Sequence, residues 1–467
     1  MERSRPHFLL VTFPEQSHLN PGRHLANHLS LAAGGAILTF STSISGHRRM
    51  FPFISSPSEE VSDCGITYIP FSDGDDEGTS RSRSRNPNDY MKQLKLIGSN
   101  NLAAIIRRLA ARGRPVTCVI YTLLLHWAGD VARQLGIPSA QFWIQPAAVL
   151  ATYYHFFHGY QALITKHNND PSFTLNLPGL PPLQIRDLPS FLTITDLKDP
   201  FFYFYSVFGE TFEAMEGLVR PRVLVNTFEE LEPEAVEFLK ERLDLVAIGP
   251  VMPPGGAEDA TRDMFGWDQE HDAYMRWLDA QAERSVVYVS FGSIYVPRRE
   301  QVNEIGRALR WSGRPYLWVV RKIDGEEDEV VEGEEEKGMV VRWCAQLRVL
   351  SHRAVGCFVT HCGWNSALES LVCGVPVVTV PQWMDQRTNA WLMERQWGTG
   401  VRLEEGKGGF VEAEELRRCL EVVMGEGERG EKIQEKAKEW KARAWEAVVG
   451  GGSSDRNLKF FVEGLGY

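Results

Sequence analysis

The chain has no apolar run near the roughly 20 residues of a membrane span, no CxxC pair, no low-complexity tail and no internal repeat beyond a two-domain echo. Each absence removes a class of protein. With no spanning segment, and with MERSRPHFLLVTF passing straight into a strand pattern, the sequence predicts a soluble, unprocessed, cytoplasmic chain. Its seven cysteines, Cys64, Cys118, Cys344, Cys357, Cys362, Cys373 and Cys419, form an odd set. That fits reduced thiols and argues against a disulfide framework or structural zinc. A net charge of −11 disfavours nucleic acid, so an anionic ligand must be met by local donors rather than by the global field.

What is present is material for two domains or more: 467 residues, with 41 glycines and 25 prolines spread along the chain. Apolar runs alternate with helical patterns in both halves, the mark of parallel α/β layers. His7 to Phe13, Thr117 to Tyr121, Ser139 to Trp143 and Val223 to Asn226 read as strands of one sheet, and Val286 to Phe291 opens a second series. The Pro/Gly-rich stretch from Ala247 to Gly256 reads as a linker. The expected division is a first domain over 1–245, a linker over 246–262, a second domain over 263–449 and a terminal helix over 450–467.

The densest stretch runs from Trp343 to Gln386. An apolar strand (Val355 to Thr360) meets a small polar turn, His361-Cys362-Gly363-Trp364-Asn365-Ser366, which enters a helical pattern. A helix N-terminus reached in this way presents main-chain N–H groups and about half a positive charge, which suits a phosphate. Glu369 lies on the same young helix, where a carboxylate can accept bonds from two vicinal hydroxyls. After Gly374-Val375-Pro376 a second buried strand leads to Asp385 and Gln386 at a carboxyl strand end.

With its Trp, Gln, His-Cys-Gly-Trp-Asn-Ser core, Glu, Gly-Val-Pro and final Asp-Gln, this stretch resembles the plant secondary product glycosyltransferase box of the family 1 plant UDP-glycosyltransferases. The likeness extends over essentially the whole chain. The flanking text looks most like the subgroup of anthocyanin 5-O-glucosyltransferases and auxin or phenolic-acid glucosyltransferases. The resemblance implies a GT-B fold, two Rossmann-like domains facing across a cleft, with acceptor binding in the first domain and UDP-sugar binding in the second. The terminal helix would pack back on the first domain.

By the same resemblance, Trp343 stacks on uracil beside Ala345, Gln346 contacts the uridine, and Glu369 takes the ribose hydroxyls. His361, Asn365, Ser366 and Ser293 hold the diphosphate, while Trp364, Asp385 and Gln386 hold the sugar. Gln386 favours UDP-glucose as donor substrate, with no metal or other cofactor. Ala345 stands where the family commonly has Pro.

A histidine on the loop after the first strand, His18, matches the family's general base. Its ordinary pKa of about 6.5 suits proton removal from an acceptor hydroxyl. Two neighbours depart from the family pattern. Ser17 replaces a usual Gly, and Thr122 stands where many members carry the Asp that orients the base. A hydroxyl can hold an imidazole but cannot stabilise an imidazolium by charge, which fits acceptors that are already acidic. Ser17, His126, Phe142, Gln145 and Phe191 are candidate acceptor contacts, joined by the aromatic run Phe201-Phe202-Tyr203-Phe204-Tyr205. A plain core accounts for the aromatics nearly as well.

Other tempting features take the plain reading. His24 and His28 read as surface histidines rather than a metal pair, and Asp73-Gly74-Asp75-Asp76 as a solvated turn rather than a metal-holding triplet. Arg81, Arg83 and Arg85 read as a mobile loop, and Asp324 to Glu336 as a solvated acidic excursion. The expected activity is inverting β-O-glucosylation of a small aromatic plant metabolite by a monomer. C-glucosylation of an activated ring is the alternative within the class, and a non-catalytic nucleotide-sugar binder the alternative outside it.

Overall fold

The computed structural model describes residues 5–56, 58–77, 87–194, 196, 199, 201–253, 271–321, 333–335, 337–404, 406 and 410–466. The chain divides into two compact units, Met1–Pro254 with Ala447–Tyr467, and Gly255–Glu446.

In the first unit the strands are β1 (His7–Val11), β2 (Ile37–Ser41), β3 (Val61–Asp63), β4 (Ile66–Tyr68), β5 (Cys118–Thr122) and β6 (Ser139–Trp143). They are followed by a small hairpin, β7 (Thr174–Leu175) with β8 (Leu183–Gln184), then β9 (Arg222–Val225) and β10 (Asp244–Ala247). The main sheet has the order β10-β9-β6-β5-β1-β2-β4-β3, parallel except for β3 at the edge. Its central strands are apolar without alternation because helices cover both faces. Phe8, Leu9, Leu10 and Val11 of β1 are all buried. Each such side chain contributes roughly 1.5–3 kcal/mol through removal from water.

The second unit repeats the scheme with β11 (Val286–Ser290), β12 (Tyr316–Val319), β13 (Gly333–Glu335), β14 (Gly338–Val341), β15 (Val355–Thr360), β16 (Val377–Thr379) and β17 (Gly400–Arg402). Their order is β13-β14-β12-β11-β15-β16-β17, again parallel except at one edge, β13. In each sheet the order reverses beside the first strand, between β1 and β5 and between β11 and β15. Ligands of open α/β sheets gather outside the carboxyl ends of the strands at that switch point.

Two local devices set the first unit's loops. A Cβ on Gly22 would stand 2.7 Å from Thr12 Cγ2, so glycine lets the helix Gln16–Ala32 settle on β1. The helix Ala147–His155 begins after Pro146, which offers no capping side chain. Buried Glu232 caps it instead, accepting the N–H groups of Ala147 (3.0 Å) and Ala148 (2.8 Å) and the Thr227 hydroxyl (2.5 Å).

The expected linker begins inside ordered structure, because Val246 and Ala247 still pair with Leu224 and Val225. The chain stays pinned beyond the strand: Asn226 Oδ1 accepts the Val251 N–H at 2.8 Å. Residues 254–262 lie outside the described residues, as does the ladder of Arg81, Arg83 and Arg85. Of the acidic excursion, Gly333–Glu335 forms the edge strand β13. The helix Ser453–Glu463 lies in the first unit, where Asn457 Nδ2 donates to Ala247 O at 2.9 Å.

Candidate active site

At the switch point of the first sheet, β1 leads through Phe13 and Pro14 into the helix Gln16–Ala32, and His18 occupies its first turn beside half-buried Ser17. His18 is buried, and its Nδ1 lies 3.0 Å from Thr122 Oγ1 at the end of β5. The same hydroxyl oxygen accepts the Phe13 N–H at 3.0 Å. Among the described residues the imidazole has no carboxylate partner. Loss of water around the ring pushes its pKa down to about 3, so it is neutral at physiological pH.

Thr122 has one hydroxyl hydrogen and two lone pairs, and Phe13 takes one lone pair. If the hydroxyl donates to Nδ1, the ring's hydrogen sits on Nε2, which then cannot act as a base. If Nδ1–H donates to the remaining lone pair, Nε2 is free to take a proton. A carboxylate, which only accepts, would force the second tautomer. Threonine permits both.

The remaining first-unit candidates divide. Gln145 is buried in the loop after β6 that Glu232 fixes. His126 opens the helix His126–Gln134 with Nε2 3.2 Å from Glu210 Oε2, an oxygen that Lys95 Nζ also reaches at 2.6 Å. Burial, helped by Lys95, holds the His126 pKa below its ordinary value against the pull of Glu210. Phe142 and Phe191 are core residues with 0% and 1% exposure, so their rings offer a ligand no surface. Phe142 sits within β6 in register with Thr122 and Leu224, and Phe191 stacks on Phe208 at 5.1 Å. In the run from Phe201 to Tyr205 only Phe204 is buried.

Two plain readings need correction. The Asp73–Asp76 turn is built into the structure rather than solvated, with Asp73 buried and accepting the Asp75 N–H at 2.9 Å and the Tyr90 hydroxyl at 3.0 Å. Those bonds satisfy its carboxylate, and no group of three or more His, Cys, Asp or Glu placed to hold a metal ion occurs among the described residues. His24 and His28 are partly buried rather than surface histidines. Burial pushes His24 down to about 3, and His28 Nε2 bonds to Met252 O at 2.7 Å.

At the second switch point β15 turns through His361, Cys362 and Gly363 into the helix Trp364–Cys373, whose N-cap Gly363 supplies no side-chain cap. Cβ atoms on Gly292 or Gly363 would each stand 2.6 Å from His361 Nε2. The two glycines therefore make the slot that holds this ring. Loss of solvent lowers the His361 pKa to about 4. Ser293 is exposed in the loop after β11, Asn365 is half-buried and Ser366 buried. Trp364 is buried, its ring centroid 6.0 Å from that of Trp397, so its side chain is core. The main chain is what it can present.

Gln346 is the hub of the nucleoside end. Its Nε2 donates to Ser366 Oγ (2.9 Å) and Glu369 Oε2 (2.6 Å), while Oε1 accepts the Tyr288 hydroxyl (3.2 Å). Trp343 is half-buried in the loop after β14. Ala345 donates its N–H to Tyr274 Oη at 3.1 Å, a bond that proline could not make.

Beyond β16, Asp385 occupies the N-cap position of the helix Gln386–Trp391 without making a side-chain cap, and it is buried. Gln386 Oε1 accepts the N–H groups of Gln382 (2.9 Å) and Trp383 (3.1 Å), which fixes the orientation of its side-chain amide. Asn389 Nδ2 donates to Asp385 Oδ2 at 2.7 Å. The sequence reading missed Asn389, Tyr274 and Tyr288. Asn389 had a readable signal, its i, i+4 spacing from Asp385 on a helical run. The tyrosines, distant in sequence, had none.

Residues 206–435 match the family model of UDP-glucuronosyl and UDP-glucosyl transferases. The chain is 44% identical to the chloroplastic crocetin glucosyltransferase of Gardenia jasminoides, over 98% of this chain and 97% of that protein. It is 43% identical to anthocyanidin 3-O-glucoside 5-O-glucosyltransferase 1 of Perilla frutescens, over 98% of each. The crystal structure of Os79 from O. sativa in complex with U2F and trichothecene matches with a TM-score of 0.82 at 31% identity, covering 98% of this chain and 100% of that one.

Proposed function

Because the chain belongs to the plant UDP-glycosyltransferases, with the two Rossmann-like units of the GT-B fold, we propose that it transfers glucose from UDP-glucose to a small aromatic plant metabolite, with inversion, using His18 as base. The relatives named above support glucose as the sugar and a plant secondary metabolite as the acceptor. Trp343, Gln346 and Glu369 hold the uridine, and Ser293, His361, Asn365, Ser366 and the Trp364 main chain hold the diphosphate. Asp385 and the Gln386 NH2 hold the sugar. No metal takes part.

The observation that carries the reading is a buried, neutral His18 whose Nδ1 is held by one hydroxyl. In the step proposed, Nε2 takes the acceptor's O–H proton as its oxygen forms a bond to the anomeric carbon. The bond from that carbon to the diphosphate breaks, and UDP leaves with the electron pair. One displacement inverts the centre and gives a β-glucoside. With a hydroxyl rather than a carboxylate beside it, the imidazolium gains no stabilisation by charge, so acceptors with acidic protons, phenols and carboxylic acids, are the ones served. His126 and Gln145 are the polar candidates for the acceptor, and Ser17 narrows the space beside the base.

None of the seven cysteines takes part in a disulfide. A reducing compartment suits them, and we place the enzyme in the cytosol. No helix among the described residues is long and apolar enough to cross a membrane.

Product formation from UDP-glucose and an acceptor panel, read by mass spectrometry, tests the assignment. Loss of product in His18→Ala with UDP binding kept supports it, whereas full turnover in that variant sinks the assigned base. Survival of the product in hot acid would point to a C-glucoside instead.

A further inference from the structure

Asn389 lies outside the roles assigned so far. It is fully buried on the helix Gln386–Trp391, and its NH2 gives one hydrogen to Cys362 O at 2.8 Å and the other to Asp385 Oδ2 at 2.7 Å. Both partners are acceptors, so the amide can sit only this way round. It does so although Oδ1 then has no partner among the described residues. A buried amide that leaves its own acceptor unsatisfied to keep two donor bonds marks those bonds as the ones the site needs.

Cys362 shows why. It is a non-glycine residue with φ +65°, a left-handed conformation that persists only where the surroundings hold it. Thr360 Oγ1 holds its N–H at 3.1 Å, and Asn389 holds its carbonyl. The strained residue is tied on both sides, between His361 in its glycine slot and Gly363 at the N-cap. Asp385 directly precedes Gln386, which places the second bond at the sugar end.

We infer that Asn389 is a positioning residue that locks the phosphate-side turn and the Asp385 carboxylate into one fixed relation. This rests on the reading of the second unit as a UDP-glucose site. Asn389→Asp would press a carboxylate against two acceptors, and Asn389→Leu would fill the space while donating nothing. Neither change touches Trp343, Gln346 or Glu369 at the uridine end.

The test uses full-length wild type, Asn389→Asp and Asn389→Leu, with calorimetric titration of UMP and UDP-glucose and steady-state kinetics. UMP affinity should stay within about threefold of wild type, while UDP-glucose affinity and kcat/KM fall by roughly tenfold to a hundredfold. Asn389→Asp should lose more at about pH 8 than at about pH 6, because the crowded carboxyl can donate one bond when protonated. Asn389→Leu should lack that extra pH dependence. Should the Asp variant not fold, the Leu variant carries the comparison.

A parallel loss of UMP and UDP-glucose binding would reduce Asn389 to scaffold, and unchanged UDP-glucose affinity in both variants would remove its role altogether. Wild type that binds UMP but not UDP-glucose would overturn the parent reading and this inference together. Wild type that binds both, with indifferent variants, overturns this inference alone.

Discussion

In the second unit Gln346 joins Ser366, Glu369 and Tyr288, and Asn389 joins Cys362 and Asp385; in the first, the His18 imidazole hydrogen-bonds to Thr122 alone among the described residues. One half of the machinery is a mesh in which side chains hold one another. The other is a single group on a single hydroxyl. A mesh loses function gradually as members are removed, whereas a lone base loses it at once.

The largest expected effect follows from that contrast. His18→Ala should lower kcat by on the order of 10²–10⁴, the ordinary worth of a positioned base, with UDP affinity little changed. Glu369→Gln, which keeps shape and removes charge, should raise the KM for UDP-glucose by about tenfold and leave kcat nearer to wild type. Equal kcat losses in the two variants would erase the distinction between base and mesh.

Next in size is the partner of the base. Thr122→Asp supplies an acceptor for both the Phe13 N–H and His18 Nδ1–H, forces the tautomer with a free Nε2 and raises the imidazole's pKa through the nearby charge. Turnover of aliphatic alcohols should rise on the order of tenfold, and that of acidic phenols far less. No gain on alcohols, in a variant that melts like wild type, would mean that Thr122 does not limit the acceptor range.

The contrast also explains what could be read in advance. The strand-turn-helix over Val355–Cys373 and the pair Asp385 and Gln386 are local, so spacing alone places them. The two sheets follow as directly, from apolar runs buried on both faces. That Phe142, Phe191 and Trp364 are buried could not be read, because an aromatic letter does not say which side of a strand or helix it faces. The buried Asp73 turn was missed because its partner, Tyr90, comes from another element. Composition cannot see that contact.

Acid should separate the units. Among the described residues, burial holds His7, His18, His24, His28, His47, His126 and His155 of the first unit below the ordinary pKa, and His361 of the second. Below about pH 6.5 the unfolded chain binds these protons and the folded chain does not, so stability falls as pH drops from there towards about 3. Hydrogen exchange at about pH 5 should therefore open amides of β1 and β5 before those of β11 and β15. Simultaneous opening, or the reverse order, would count against the histidines as the cause.

The smallest effect tests the mesh at its edge. Ala345 stands where proline is common among the plant enzymes, and its N–H donates to the buried Tyr274 hydroxyl. Proline would preset the backbone but remove that donor, and a lost hydrogen bond of this kind is worth about 1 kcal/mol. In a mesh the loss is shared, because Cys344 and Gln346 on either side both keep their bonds to the Tyr288 hydroxyl. Ala345→Pro should lower the melting temperature by about 2–4 °C and shift the UDP-glucose KM by less than about threefold. A larger KM change would show that the Ala345–Tyr274 bond sets the uridine end itself, and the second unit would then hang on single bonds as the first does on Thr122.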